Sequence, residues 1–387
     1  MSRVSKWHRI LAFLTFLWIG GDLGALHIVR DAEIEEVLTE IVKPIFKIAG
    51  LRPETARIYV INSEVVNAFT VGNGYIFITS ELLLRFENPL QVIGILCHET
   101  GHIAAGHVER HISLLQKRSN NFIIAMLAGI LGASLTGSAD FMGLLLGYAA
   151  TDERFYLKFS RGEELAADAL AASYLEKLGY GSDVLIDALE VFRSIDLLNG
   201  GVNLPIYVLT HPKTDDRISA LYKYAKRRKY KADENTSRKY DRVITKLRAY
   251  LKKPNLLAKT PEDDYSKAIY YHRAGKSKEA IALLRNLSKK NPLDLYQKEI
   301  LAQVLYESGQ LDESIKVYEQ IYGKKVNDLI KIDYANVLIE ADRNVDVAIR
   351  ILESLKYFAR FNSDIFRLLA KAYGKKGREG LAHLLLA

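Results

Sequence analysis

The run PLQVIGILCHETGHIAAGHVERHISLL contains His98-Glu99-Thr100-Gly101-His102, two histidines four apart with an acid beside the first. On a helix, positions four apart project from one face, one turn apart, so both imidazoles can reach one ion. A catalytic zinc takes three protein ligands and keeps one position for water, whose acidity rises towards neutral pH. Two ligands and a base would therefore be present: His98 and His102 on the metal, and Glu99 to accept the proton of the water and pass it to a leaving amine. Such a pentapeptide also arises by chance in long chains, so its surroundings decide.

A metzincin would continue with Gly at 105 and His at 108, where this chain has Ala105 and Val108; that class is excluded. His107 and His111 form a second pair four apart, nine residues beyond the first. On a continuous helix that offset is about 900°, half a turn, so they are expected on the opposite face in a structural or solvent-facing role. The third ligand should come from a later helix. SRGEELAADALAASYL offers Glu164, 62 residues after His102, with Asp168 four residues further on. One carboxylate can then bind the metal while the other accepts the N–H of a ligating imidazole. Glu163 is the rival, but its partner at that spacing is Ala167, and an acid in the first turn of a helix has a plain role against the helix dipole.

Elements must position these groups. DAEIEEVLTEIVKPIFKI, residues 31 to 48, predicts an amphipathic helix, and ARIYVINS with VVNAFTVGNGYIFITS predicts short strands with a turn at Gly72-Asn73-Gly74. From Phe122 to Thr151 the only charge is Asp140; the polar break LTGSAD leaves two pieces below the roughly 20 residues of a spanning helix, so a buried hairpin or lid is expected ahead of a membrane-dipping segment. In the C-terminal part, Ala280, Ser314, Ala348 and Ala382 recur every 34 residues, as do Gly275, Gly309, Arg343 and Gly377, and Leu284, Tyr318, Leu352 and Leu386. A small residue where two helices cross, a turn five residues earlier and this period describe stacked tetratricopeptide hairpins, about four with the last incomplete.

The 387 residues, 49% hydrophobic and 26% charged, are too many for one core and too apolar for disorder. Cys97 stands alone and cannot form an intrachain disulfide. MSRVSKWHR followed by ILAFLTFLWIGG reads as a basic then apolar leader, a signal peptide or N-terminal anchor over residues 1–25; Leu23 at the −3 position makes cleavage after Ala25 poor. The net charge of +8 is concentrated: fourteen Lys or Arg against three acids between Lys223 and Lys259 leave that segment +11 and the rest about −3. No nucleic-acid motif surrounds it, so a solvated helical connector is expected, with contact to anionic lipid head groups as the alternative. The expected fold class is α+β, mostly helical: a zincin-type metallopeptidase domain with a small sheet over residues 27–222, the basic connector over 223–260, and an all-α tetratricopeptide array over 261–387.

The HExxH motif with its downstream ExxxD, preceded by Ser160 and Arg161, resembles the gluzincin peptidases, which include prenyl proteases, the mitochondrial Oma-type protease and the bacterial β-barrel assembly-enhancing proteases. NAFTVGNGYIFITSELL, THPKTDDRI at 210 to 218 and the repeats narrow the resemblance to the last group, most closely its alphaproteobacterial members, from about His27 to the end. By position, the resemblance implies one zinc on His98, His102 and Glu164, Glu99 as base, and Asp168 behind a ligand. It implies that His211 can take the open position and hold the enzyme latent, and that Arg217 lies near the transition-state oxyanion. Asn67 and Ala68 would belong to the edge strand on which substrate backbone adds as a further strand. Cys97 stands where that group usually has alanine, and VGNG replaces its Pro-Gly-Gly turn. The implied function is a periplasmic endopeptidase that degrades misfolded or stalled outer-membrane proteins and assists their assembly, with the barrel-assembly machinery as a partner through the repeats. The alternative is a repeat-bearing chaperone or adaptor with a dormant or structural zinc site. A membrane-embedded prenyl-type protease is excluded because the chain lacks a series of spanning helices.

Overall fold

A computed structural model describes residues 27–86, 88–116, 159–198, 211, 214–251, 263–323, 326–356 and 364–386. The expected leader over 1–25 and the apolar stretch 122–151 lie outside the described residues. Among those described, no helix is long and apolar enough to cross a membrane.

Among the described residues four strands form one sheet in the order β1-β2-β4-β3: β1 His27–Val29, β2 Arg57–Asn62, β3 Ala68–Gly72 and β4 Tyr75–Thr79. β1 runs antiparallel to β2, β2 parallel to β4, and β3 antiparallel to β4, which leaves β3 at an edge among the described residues. The turn between β3 and β4 is Asn73-Gly74, both with positive φ, the pairing a two-residue hairpin demands. Gly74 is required twice over, because a Cβ there would meet the Thr55 carbonyl oxygen at 2.5 Å. Side chains alternate along the strands. Ile58, Val60, Ala68, Ile76 and Ile78 enter the main core, and Tyr59, Val71 and Phe77 form an aromatic-rich cluster on the other face.

The main core is closed by helices. α1 (Ala32–Ile48) begins at Asp31, whose side chain accepts the Ile34 N–H. After α2 (Ser80–Arg85) comes α3 (Pro89–Ala104), started by a capping box between Asn88 and Gln91 with Pro89 in the first turn. α4 (His107–Gln116) follows after a break at Ala105-Gly106. α5 (Arg161–Lys177), α6 (Asp183–Leu198) and α7 (Thr214–Leu221) complete the shell. Two glycines of α3 let its neighbours approach closely. A Cβ at Gly94 would lie 3.1 Å from the backbone of Val184 and Leu185 at the start of α6, and one at Gly101 would lie 2.9 Å from the Ala167 carbonyl oxygen of α5. The motif helix is thus seated against the helix that carries Glu164.

The basic segment differs from a solvated connector. Residues 225–233 run without regular structure and expose Lys226, Arg227, Arg228, Lys229 and Lys231, but α8 (Glu234–Leu251) buries Tyr240, Val243, Ile244 and Leu247 in the main core. Charge counting hid this apolar stripe because the cations occupy the other positions of an amphipathic helix.

Four helical hairpins follow: α9 (Asp264–Arg273) with α10 (Ser277–Lys290), α11 (Leu295–Glu307) with α12 (Leu311–Tyr322), α13 (Asp328–Glu340) with α14 (Val345–Ser354), and α15 (Asp364–Lys375) with α16 (Glu379–Leu386). Ala280, Ser314 and Ala348 are fully buried, and the Ser314 hydroxyl donates to the Ala302 carbonyl at 2.7 Å, so a polar atom sits in the crossing without loss. Gly275, Gly309 and Gly377 carry positive φ at the turns; where Arg343 replaces glycine, Asp342 and Asn344 on either side take the left-handed conformation instead. Ala32 at the head of α1 packs into the core formed by the second, third and fourth hairpins, so the hairpins are docked on the first part of the chain.

Candidate active site

α3 presents His98 and His102 on one face, their Nε2 atoms 3.1 Å apart. α5 faces them with Glu164, whose Oε2 is 3.5 Å from His98 Nε2 and whose Oε1 is 3.4 Å from His102 Nε2. His211, just ahead of α7, adds its Nδ1 at 3.4 Å from His98 Nε2 and 2.9 Å from Glu164 Oε1. All four residues are fully buried, and one atom from each lies within 4.8 Å of the others. Bonds of about 2.0–2.1 Å to a tetrahedral zinc would separate neighbouring donors by roughly 3.3–3.5 Å, which most of these distances match. Two imidazoles turning ring nitrogens towards each other and towards a carboxylate offer the donor chemistry zinc selects. The residues present therefore fit the ion.

Each ligand is held from behind. His98 Nδ1 lies 2.9 Å from Asp168 Oδ1, and Arg217 of α7 fixes Asp168 through Nε to Oδ2 and Nη2 to Oδ1, both at 2.8 Å. Arg217 Nη1 also reaches Glu164 Oε2 at 3.0 Å. This buried guanidinium binds the carboxylates in a fork. Its contacts describe a clamp behind the ligands. On His102 the support is different: Phe159 stacks on the ring at 3.8 Å and His107 Nδ1 lies 2.9 Å from His102 Nδ1.

That last contact corrects the expectation that His107 faces away. α3 does not run on; Gly106 takes a φ of +64° and α4 restarts at His107, swinging it back to the site. The cue in the sequence was Ala105-Gly106, a left-handed break that cancels any angle counted through it. His111, half-buried, pairs with Glu163 at 3.1 Å, and Glu163 closes the capping box of α5 with Ser160. Phe159, missed from the sequence, follows residues whose pattern gave no periodic signal.

Burial and neighbours set the proton affinities. Burial, with the Glu164 charge adding, pushes the Glu99 carboxyl up to about 7 against the pull of His211 and Arg217. His211 Nε2 lies 3.6 Å from Glu99 Oε1, longer than a hydrogen bond. Burial works against ionisation of Glu164, but His211 and Arg217 outweigh it and hold this carboxyl well below the usual range. For Asp168 burial is likewise outweighed by Arg217, whose charge and hydrogen bonds lower its affinity. His98 and His102 are lowered chiefly by burial, which keeps both neutral and able to ligate. His211 goes the other way: Glu164 and Glu99 overcome its burial and raise it. One buried carboxyl is thus poised for proton transfer while the others stay ionised.

Residues 29–225 match peptidase family M48. The chain belongs to this family. M48 enzymes are zinc metallopeptidases, and in this member His98, His102, Glu164 and His211 form a buried metal-binding group. Among similar proteins, the "Beta-barrel assembly-enhancing protease" of Yersinia pestis is 23% identical over 340 residues, 82% of this chain and 68% of the relative. The protein of that name from Escherichia coli K12 is 21% identical over 327 residues, 81% and 66%. "Protease HtpX" of Alcanivorax borkumensis is 30% identical over 221 residues, 49% of this chain and 71% of the relative. The chain spans about two thirds of the length of the first two.

Asn67 and Ala68 open the edge strand β3. The Asn67 backbone is tied to Thr79, its N–H donating to the Thr79 hydroxyl at 2.9 Å, and its side-chain Oδ1 is buried without a hydrogen bond. Among the described residues β3 pairs only with β4, and it packs against α3 and α4.

Proposed function

We propose that this M48 member is a periplasmic endopeptidase acting on misfolded or stalled outer-membrane proteins, with its hairpins, read as tetratricopeptide repeats, gathering substrate or docking on the barrel-assembly machinery. The names of the relatives that cover four-fifths of the chain support the substrate class. The observation that carries the chemistry is the buried His98, His102, Glu164 and His211 group beside a buried Glu99 whose carboxyl is raised to about 7.

Zinc held there would polarise the scissile carbonyl and acidify a water molecule. Glu99, with a proton affinity near neutrality, takes the proton from the water and delivers it to the leaving amine. Asp168 and Arg217 hold His98 and Glu164 in place through the transfer, so the ligands do not reorganise. An extended substrate segment adds to the edge at Asn67 and Ala68, which brings its backbone alongside α3. His211 is the latch. Its Nδ1 faces the ligand group while its Nε2 stands 3.6 Å from Glu99 Oε1, so the imidazole occupies the space between metal site and base that water needs.

The test is side-by-side zinc content and cleavage of an unfolded barrel protein by the full chain and by Glu99→Gln. The variant should keep its zinc and lose about 100-fold or more of the cleavage rate, the scale of general acid–base catalysis. Undiminished cleavage overturns the mechanism. Retention of zinc with no cleavage by either form favours the chaperone or adaptor reading.

A further inference from the structure

We infer that His107 is the positioning residue of the metal site: it accepts the Nδ1 proton of His102 and so fixes the tautomer and ring orientation in which that histidine ligates. The inference rests on the zinc reading of the site.

His102 Nε2 is the nitrogen turned towards His98 Nε2 at 3.1 Å and Glu164 Oε1 at 3.4 Å, so it must be bare to bind a metal. The ring is neutral, and its one proton then sits on Nδ1. A buried N–H needs an acceptor, and ligating histidines ordinarily find a carboxylate or a carbonyl. His98 has the carboxylate of Asp168 at 2.9 Å. For His102 the structure places His107 Nδ1 at 2.9 Å, which accepts only if the proton of His107 sits on its Nε2. The two ligands are therefore supported by unlike groups: an anion clamped by Arg217 on one side, a neutral imidazole on the other.

The position of His107 is built. On an unbroken helix a residue five beyond His102 would lie about 140° away around the axis. The left-handed Gly106 ends α3 and redirects the chain, and α4 is braced on the edge strand: a Cβ at Gly72 of β3 would meet Glu109 Oε1 at 2.9 Å and Val108 at 3.5 Å. His107 itself is buried, and Phe159 stacked on His102 closes the remaining freedom of the ligand ring. A short strand-to-helix contact thus carries the geometry of the substrate edge to a ligand.

The test measures zinc dissociation constants by chelator competition on the folded full chain, with circular dichroism and thermal unfolding of the metal-free proteins as controls. His107→Ala and His107→Leu, which offer no acceptor, should weaken zinc about 10–100-fold, the usual cost of losing such a partner. His107→Asn, whose Oδ1 can stand close to the position of the imidazole Nδ1 and accept the same proton, should remain within about threefold of wild type. The same order should appear in kcat rather than KM for cleavage. Undiminished zinc affinity in the Ala and Leu variants overturns the inference. So does an equal loss in all three, which would mark His107 as packing alone. If the wild-type chain itself binds no zinc, the reading of the site fails instead, and the two failures are distinct.

Discussion

At the scale of single residues, the site divides its labour by environment. Four carboxyls lie within reach of one another's influence, yet Glu164 and Asp168 are held ionised by Arg217 and its neighbours, Glu163 caps a helix, and Glu99 alone is raised to about 7. His98 and His102 on one face, and Glu164 with Asp168 on another helix, were legible from i, i+4 spacing, because that spacing is a property of one helix. The place of His211 beside them was written in no local spacing and came from the resemblance alone, since His211 lies 113 residues from His98 and reaches it only in the fold. Removing that imidazole opens the space beside Glu99. His211→Ala is expected to raise basal cleavage of an unfolded substrate several-fold while zinc content, measured by atomic absorption, stays at one per chain. An unchanged or lower rate at normal zinc content would count against the latch.

At the scale of elements, the metal group depends on how closely α3 and α5 approach. Gly101 sits between the two histidine ligands' turns and faces the backbone of Ala167, which belongs to the same helix as Glu164 and Asp168. A methyl group cannot enter a 2.9 Å gap to a carbonyl oxygen without separating the helices. Gly101→Ala should therefore cost about 1–3 kcal/mol of stability, as overpacking does, seen as a lower urea midpoint at unchanged m-value. It should also weaken zinc binding, because Glu164 moves with α5; stability within about 0.5 kcal/mol of wild type would show that the contact relaxes freely. Strand alternation and the hairpin turn at Asn73-Gly74 could be read locally. The return of His107 could not, because angle counting assumes the helix continues and a single left-handed residue resets it.

At the scale of the whole molecule, the hairpins are joined to the peptidase part through a buried ionic seam. Lys246 of α8, fully buried, reaches Asp31 at 2.8 Å and Glu33 at 3.1 Å at the head of α1, and Glu299 of α11 at 3.9 Å. Arg242 pairs with Glu33 and with Asp294, and the Tyr265 hydroxyl donates to Glu33 at 2.9 Å. Lys246 answers Asp31 and Glu33 first, and burial leaves the Glu299 carboxyl pushed up to about 8, with Asp31, Asp333 and Glu33 adding to the rise and Lys246 opposing it. Between the ordinary carboxylate range and pH 8 the folded chain thus holds a proton that the unfolded chain has lost, so stability falls as pH rises through that window. Chemical denaturation at pH 5 to 8.5 should show this decline in wild type and a flatter profile in Glu299→Gln, with the variant the more stable at the alkaline end. Parallel profiles would show that Glu299 is ionised in the seam.

Periodicity by itself determined the two motif histidines, the Glu164–Asp168 pair and the spacing of the hairpins, because each is written in residues that share one element. Tertiary structure decided that His211 joins the metal group, what stands behind each ligand, and that a segment rich in cations buries an apolar stripe. These depend on contacts between residues tens to hundreds of positions apart, whose partners no local pattern names. The HETGH helix supplied the chemistry; the turn at Gly106, the clamp of Arg217 and the seam at Lys246 determined how it is held.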